Sequence, residues 1–277
     1  MSVLEEIQAL ADCFSGTLGV WASLLDSGET LEWNATDDFP AASTIKLPIL
    51  YEVFRQAGEC RFTLTDPMTL RAEDIVPGSG ILKDLTPGLA LPIRDLATLM
   101  IVISDNTATN MLIDLVGLDA VNGSCEALGL TGTVLAFKLF RGPDGAPRNR
   151  STPVDLGRLM TGVAGHAVLT PPACDEVLAI LGRQHFTDLI TRRLTEFDGF
   201  LEAGKAPRVA VASKSGSIRG TRNDVGLVSA RGQRYVVAMM SKGCADERFY
   251  HDNEAAVLLP RVSAAIYRHF VETGQAT

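Results

Sequence analysis

Residues 43–54 read Ser43-Thr44-Ile45-Lys46-Leu47-Pro48-Ile49-Leu50-Tyr51-Glu52-Val53-Phe54, a polar tetrapeptide that runs into an almost wholly apolar segment. Such a segment predicts a buried helix, which the apolar pattern extends over Ser43–Gln56. In a helix, Ser43 and Lys46 lie on one face, with Cβ atoms about 5–6 Å apart. A buried lysine loses its proton readily and can then activate a serine hydroxyl. The alternative is that Ser43 only caps the helix and Lys46 is solvated.

Two further motifs follow in the chain. Ser104-Asp105-Asn106 separates two helical patterns, and Lys214-Ser215-Gly216 follows the apolar strand Val209–Ala212. Alone, the first is also typical of a helix cap and the second of a polar strand end. Together with Ser43 and Lys46, they supply hydroxyls, amines and an amide that could activate a serine and hold an anionic acyl substrate. The three motifs predict a serine that forms an acyl-enzyme.

The pattern of elements around these motifs predicts an α/β (α+β) fold. Strands from both ends of the chain are expected to form one antiparallel sheet, flanked by terminal helices, with the helical middle inserted as a second domain. The predicted sheet domain is residues 1–40 with 195–277, and the predicted helical domain is residues 41–194. The remaining helices are expected at Val3–Phe14, Ile93–Ser104, Ala108–Val116, Ala120–Leu128, Pro153–Val163 and Asn253–Glu272, and the strands at Gly19–Leu25, Thr30–Trp33, Arg208–Ser213, Asp224–Ser229 and Tyr235–Met240.

Composition excludes several classes of function. The 277 residues are 46% hydrophobic, enough for a large core, and the formal charge of −8 argues against a nucleic-acid partner. The five cysteines contain no C-x-x-C pair and are expected to be free thiols, although one disulfide is possible. The four histidines lack metal-ligand spacing, so neither a metal nor another cofactor is expected.

The sequence also gives an expectation about the cellular location of the protein. No apolar run reaches the roughly 18 residues that span a bilayer, so no membrane partner is expected. Acidic residues near the N-terminus, with no apolar region behind them, are untypical of a secretory leader. We expect a cytoplasmic monomer, or a periplasmic or secreted one if a leader was removed.

The three motifs, in this order, resemble those of class A β-lactamases and penicillin-binding proteins. The resemblance covers nearly the whole chain and implies the two-domain serine β-lactamase/transpeptidase fold. It extends through the segments Val76–Leu82, Ile93–Met100, Ser104–Asn110, Thr152-Pro153 and Asn223–Gly226.

The resemblance also implies roles for individual residues. Ser43 would be the nucleophile, Lys46 its base, and Ser104 the relay of a proton to the leaving nitrogen. Asn106 would bind the substrate amide, while Lys214 and Ser215 would hold its carboxylate. The backbone amides of Ser43 and Ser217 would form the oxyanion hole. Separately, the planar fork of Arg222 could assist Lys214 in binding the carboxylate.

The chain departs from class A β-lactamases at the residue that activates water. Those enzymes carry a glutamate in a loop before the Thr-Pro pair, but residues 135–150 contain none. Phe140 falls about where the acid would be. The only nearby carboxylate, Asp144, belongs to Pro143-Asp144-Gly145, a sequence typical of a turn. A milder departure is Ser215, where those enzymes usually have threonine.

Three hypotheses therefore remain open. In the first, the chain is a β-lactamase-like serine hydrolase that acts on β-lactams or related amides and esters, and the missing glutamate leaves open whether its acyl-enzyme is hydrolysed. Alternatively, it is a relative of D,D-peptidases and penicillin-binding proteins, or a sensor that binds β-lactams without turnover. Each takes a small molecule, namely a β-lactam, peptide or ester.

Overall fold

A five-stranded antiparallel sheet forms the centre of the fold. The computed structural model describes residues 2–143, 148–198 and 207–273. The strands of the sheet are β1 (Thr17–Leu24), β2 (Thr30–Trp33), β7 (Val209–Ile218), β8 (Thr221–Ala230) and β9 (Gln233–Lys242), in the order β2-β1-β9-β8-β7. Two small ribbons pair β3 (Phe39–Pro40) with β6 (Arg150–Ser151) and β4 (Pro67–Thr69) with β5 (Ala90–Pro92). The first and last parts of the chain thus build one sheet, with β7 at its edge.

Helices cover both faces of this sheet. Helices α1 and α8 pack together on one face, and α6 packs on the other against β1, β8 and β9. The helices are α1 (Val3–Asp12), α2 (Lys46–Gly58), α3 (Ile93–Val102), α4 (Asn106–Val116), α5 (Leu118–Ala127), α6 (Pro153–Ala164), α7 (Pro171–Leu181) and α8 (Glu254–Tyr267). A short π-helical segment, Arg268–Glu272, continues α8, and 3₁₀ turns lie at Ala42–Ile45, Ala72–Asp74 and Leu82–Asp84.

Strand β9 shows why the fold has two hydrophobic cores. Its side chains alternate between the two faces of the sheet, as a strand requires. Val236, Ala238 and Met240 belong to the core shared with the helices of the middle segment, including α2 and α6. Tyr235, Val237 and Met239 belong to the second core, with α1 and α8. Both faces of the central strand are therefore buried, which explains its nearly continuous apolar sequence.

The fold class predicted from sequence is confirmed: an antiparallel sheet with flanking terminal helices carries a helical insertion. Helix α7 was not expected; Pro171 and Pro172 in its first turn are tolerated because amides there lack intrahelical acceptors. The proposed boundaries, 1–40 with 195–277 and 41–194, stay a prediction.

Three local differences affect the site. Ser43 lies in a 3₁₀ turn, Ala42–Ile45, and α2 begins only at Lys46. Helix α3 ends at Val102, so Ser104 lies in the junction before α4 rather than in a helix. Strand β7 continues to Ile218, which places Lys214-Ser215-Gly216 inside the edge strand. The predicted strand ended at Ser213 because the residues after it are polar. Pairing with β8 nevertheless continues past the apolar run to Ile218.

Two further expectations from sequence concern the cysteines and the absence of an apolar run long enough to span a membrane. All five cysteines are free thiols; Cys13 and Cys60 are exposed. Within the described ranges, no helix has both the length and the apolar character needed to cross a bilayer.

Candidate active site

The three motifs meet at one cavity of about 280 Å³. Ser43 comes from the 3₁₀ turn before α2, Ser104 from the junction of α3 and α4, and Ser215 and Ser217 from the edge strand β7. Arg222, at the start of β8, lines it as well. The remaining predicted site residues, Lys46, Asn106 and Lys214, are not part of the cavity lining. Lys46 and Lys214 are fully buried, and Asn106 is almost fully buried. The fold thus gathers all eight predicted residues around one cleft.

Gly216 allows β7 to pass directly against the start of the helical run that carries Ser43. A Cβ atom at Gly216 would lie 2.9 Å from the Ser43 amide nitrogen and 3.0 Å from that of Thr44, closer than atoms normally approach. Amides at the start of a helix lack intrahelical acceptors. The close approach brings the Ser43 amide beside the strand segment that carries Ser217, and both residues line the same cavity.

Lys46 is fully buried and connects the first motif to the second. Its Nζ donates to the Ser104 carbonyl (2.7 Å), to Ser104 Oγ (3.0 Å) and to Asn106 Oδ1 (2.9 Å). Burial lowers the pKa of Lys46 well below its usual value, and the nearby Lys214 cation lowers it further, against an opposing effect of Asp105. The three donated bonds use all three N–H groups of the ammonium. A neutral amine would keep two N–H donors for the two carbonyl oxygens and gain a lone pair, which could accept a proton from a hydroxyl such as that of Ser104.

Ser104 adopts a backbone conformation that is rare for a residue with a side chain. Its φ is 56°, in the left-handed region, between the end of α3 and the N-cap residue Asp105. Asp105 stabilises this junction because its carboxylate accepts hydrogen bonds from the amides of Ala108, Ile81 and Leu82. Strain of this kind persists where the surroundings impose it, and it is common at functional sites. Here it directs both the carbonyl and the hydroxyl of Ser104 toward Lys46.

A glycine-flanked loop supports Asn106 from the other side. The Asn106 amide donates to the Ser79 carbonyl (3.0 Å), and its side-chain Nδ2 donates to the Pro77 carbonyl (3.1 Å). Gly78 has φ 91°, and a Cβ there would lie 2.6 Å from Asn106 Nδ2. Ser79, which lies between Gly78 and Gly80, was not among the predicted site residues. The structure also places Ser79 in the lining of the cavity, for which the paired glycines were the available signal.

Lys214 lies fully buried on β7 and donates to the Ser215 carbonyl (2.7 Å). Burial lowers its pKa to about 7, against the attraction of the Asp224 carboxylate. Burial likewise raises the pKa of Asp224, on β8, to about 7. Asp224 Oδ2 accepts from the Ile190 amide (3.1 Å), whereas Oδ1 has no hydrogen-bond partner among the described residues. Asp224 was not among the predicted site residues, because nothing in a strand pattern marks which acid lies near a buried lysine.

Backbone carbonyls hold Arg222 in place. Its Nη1 donates to the carbonyls of Ile218 (2.9 Å) and Thr221 (2.7 Å), and its Nη2 donates to the carbonyl of Arg248. The guanidinium also lies 4.8 Å from the centre of the Phe249 ring, within range of a cation–π interaction. The side chain is almost fully buried, yet it borders the cavity. Its position is therefore fixed before any ligand binds.

Phe140 lies beside the loop that supports Asn106. A Cβ at Gly78 would come 3.1 Å from the Phe140 ring, which is otherwise 63% exposed. The preceding residue, Leu139, is held by Asn110, which donates to its carbonyl (2.9 Å) and accepts from its amide (2.8 Å). Among the described residues that line the cavity, the one carboxylate is Asp188. Asp144, the other candidate acid, lies outside the described residues.

The part of the chain that the structure describes contains no group of three or more histidine, cysteine or acidic side chains arranged to hold a metal ion.

A protein-family model described as the beta-lactamase enzyme family matches residues 2–270. The beta-lactamase of Rhodobacter capsulatus is 27% identical over 255 residues, which cover 90% of this chain and 83% of the relative. Beta-lactamase 1 of Streptomyces cacaoi is 29% identical over 274 residues, covering 91% and 80%.

Solved structures show the same relationship. The beta-lactamase from Sphaerobacter thermophilus matches with a TM-score of 0.85 and 33% identity, covering 97% of each chain. PBP-A matches with a TM-score of 0.84 and 35% identity, covering 98% of this chain and 96% of that one. A mutant of PBP-A has been solved as an acyl-enzyme complex with penicillin G.

Proposed function

Because the chain belongs to the beta-lactamase enzyme family, we propose that it is a serine hydrolase that forms an acyl-enzyme at Ser43 with β-lactams or related amides and esters, and that it hydrolyses this intermediate slowly. One observation supports the proposal above all others. Ser43 borders the same cavity as Ser104, whose hydroxyl and carbonyl contact a fully buried Lys46. A serine beside a lysine that readily loses its proton is equipped for nucleophilic attack.

Substrate binding is proposed to begin at the anionic end. Lys214 and Arg222 supply positive charge, and Ser215 supplies a hydroxyl, on the β7–β8 side of the cavity. A carboxylate held there would direct the substrate carbonyl toward the amides of Ser43 and Ser217. Two backbone N–H donors at that position would stabilise the negative charge that develops on the carbonyl oxygen.

Acylation then requires two proton transfers, first from Ser43 to Lys46 and then from Lys46 through Ser104 to the leaving nitrogen. Ser43 Oγ attacks the carbonyl carbon while neutral Lys46 accepts the hydroxyl proton. The carbon–nitrogen bond of the lactam breaks, and the nitrogen takes up a proton relayed through Ser104 from Lys46. The hydrogen bond between Lys46 Nζ and Ser104 Oγ (3.0 Å) supports this relay, because it joins the two groups that would exchange the proton. The cycle ends with Ser43 acylated and Lys46 neutral again.

Slow deacylation follows from the side chains near the acyl group. Hydrolysis needs a base that activates water, and Phe140 stands about where class A β-lactamases place theirs. Asp188, the described acid in the cavity lining, interacts with Arg222 and so belongs to the opposite, carboxylate-binding side. We therefore expect the acyl-enzyme to accumulate.

A D,D-peptidase or penicillin-binding role is the second candidate. Two observations favour it: Phe140 occupies the sequence position where class A β-lactamases have their glutamate, and the chain is 35% identical to PBP-A. An acylated peptide ending in D-alanyl-D-alanine separates the candidates, because only a D,D-peptidase would release D-alanine from it. A sensor without turnover would be acylated by penicillin and would leave the peptide intact.

Covalent labelling by a fluorescent penicillin tests the proposal. We expect the wild-type protein to be labelled and Ser43→Ala to show no label, since the attacking oxygen is gone. Ser27→Ala, in the turn between β1 and β2, is the matched control and should be labelled like the wild type. Equal melting temperatures would show that Ser43→Ala is folded. Labelling of folded Ser43→Ala would contradict the assignment of the nucleophile.

A further inference from the structure

Three large aromatic side chains stand exposed around one end of the active-site cavity. Phe186 is 45% exposed, Phe249 61% and Tyr250 68%, and all three line the cavity. The other exposed large apolar side chains of the described chain lie outside the cavity lining; they are Leu4, Ile81, Leu85, Leu89, Phe140 and Val257. Exposed apolar surface that gathers at the mouth of a cavity is typical of a ligand-binding surface. We refer to Phe186, Phe249 and Tyr250 as the aromatic rim.

The rim lies at the carboxylate-binding end of the cavity. The Phe249 ring is stacked 4.8 Å from the Arg222 guanidinium, and Arg222 is paired with Ser217 across β7 and β8. Phe249 and Tyr250 precede α8, whereas Phe186 follows α7, so the rim draws on two separate segments. A substrate whose carbonyl meets Ser43 and whose carboxylate meets Arg222 would bring the group next to its carboxylate against these rings.

Charge at the rim argues for an uncharged occupant. Arg222 and Asp188 both line this end of the cavity and attract each other. Because these opposite charges compensate each other, a charged substituent of either sign would gain little net attraction there. A planar apolar group instead gains contact with the rings, which favour stacked or edge-to-face partners.

We propose that the aromatic rim is a specificity subsite that binds an uncharged aromatic substituent carried beside the carboxylate of the substrate. This inference rests on the proposed acyl-enzyme chemistry at Ser43. Phe249 acts in two ways, since it also packs against Arg222, whereas Phe186 and Tyr250 contribute ring surface alone.

Two cephalosporins test the inference. They share one acylamino side chain and differ at the ring carbon beside the carboxylate-bearing carbon, where one carries methyl and the other phenylthiomethyl. The measured quantity is the ratio of their second-order acylation rate constants, followed by intact-protein mass spectrometry. In the double variant Phe186→Ala/Tyr250→Ala, we expect the aryl-to-methyl ratio to fall by about 5-fold relative to wild type, as the loss of ring contacts implies. Because intrinsic reactivity is the same for both proteins, it cancels in the comparison.

Leu4→Ala provides the matched control, since Leu4 is exposed on α1 and outside the cavity lining. It should leave the ratio unchanged. If the double variant does not fold, Tyr250→Ala alone should lower the ratio by about 2-fold. An equal ratio in wild type and folded variant would overturn the subsite while acylation stands. Failure of both compounds to acylate wild type would instead overturn the acyl-enzyme proposal and the subsite with it.

Discussion

Two fully buried lysines, Lys46 and Lys214, need opposite protonation states for the proposed reaction. Lys46 must be neutral to accept a proton, and Lys214 must be charged to attract a carboxylate. Burial lowers the pKa of both, but Lys46 is also opposed by the Lys214 cation, whereas Lys214 is favoured by the Asp224 carboxylate. The two environments therefore place the pKa of Lys46 below that of Lys214, so that Lys46 loses its proton first as the reaction requires.

The pH profile of acylation should reveal Lys214. Its pKa of about 7 means that the ammonium is present below this pH and is lost above it. We expect the second-order rate constant of acylation, which reports the free protein, to fall as pH rises above about 7. Stopped-flow acylation by a penicillin between acid and alkaline pH measures this limb.

Lys214→Arg supplies the comparison, because a guanidinium keeps its proton throughout that range. The falling limb should disappear in this variant. Persistence of the same limb in a labelled, folded Lys214→Arg protein would assign the titration to another group.

Phe140 should control the lifetime of the acyl-enzyme. In Phe140→Glu we expect the adduct to decay at least about 100-fold faster than in wild type, the lower range for gain of a general base. Phe140→Gln is the matched control, with the same length and no basic carboxylate, and should leave the lifetime near that of wild type. Decay of the penicillin adduct, followed by mass spectrometry after removal of excess drug, measures both. Equal lifetimes in the Glu and Gln variants would show that residue 140 does not reach the water.

At the scale of elements, the contact between α6 and β1 depends on Gly157. A Cβ there would lie 2.1 Å from the ring of Trp21, which is itself nearly buried. We expect Gly157→Ala to lower the free energy of unfolding by about 1–3 kcal/mol, because the ring or the helix must shift. Urea denaturation measures the change.

Gly123, inside α5, gives the opposite case, since a Cβ built there has no atom within 4 Å other than those of its chain neighbours and the backbone of its own helix. Gly123→Ala should raise the free energy of unfolding by about 0.5–1 kcal/mol through helix propensity alone. A stabilising effect of the same size at Gly157 would mean that the helix does not press on Trp21.

Elements were predictable where one pattern dominated the local sequence. The continuous apolar run of β9 and the buried run of α2 identified both elements. The end of β7 was not predictable in the same way, because Lys214, Ser215 and Ser217 are polar and are held in the strand by pairing with β8. The 3₁₀ turn that carries Ser43 differs from an α-helix by hydrogen-bond register, which side-chain periodicity over four residues does not resolve.

At the scale of the whole molecule, the site depends on contacts between distant parts of the chain. The motifs at Ser43, Ser104 and Lys214 could be identified because each is a short local sequence. The aromatic rim, Ser79 and Asp224 were missed, since each acquires its role from a partner on another element. The sequence therefore indicated the chemistry, and the tertiary packing supplied the surroundings that tune it.

The proposed reaction acylates Ser43 quickly and releases the acyl group slowly. Intact-protein mass spectrometry during incubation with a penicillin, beside a chromogenic cephalosporin assay on the same sample, measures both steps. We expect one adduct per chain that outlasts removal of free drug, with a burst of colour close to one equivalent and slow turnover after it. Rapid turnover without an accumulating adduct would contradict slow deacylation, and the absence of any adduct or colour would contradict acylation at Ser43.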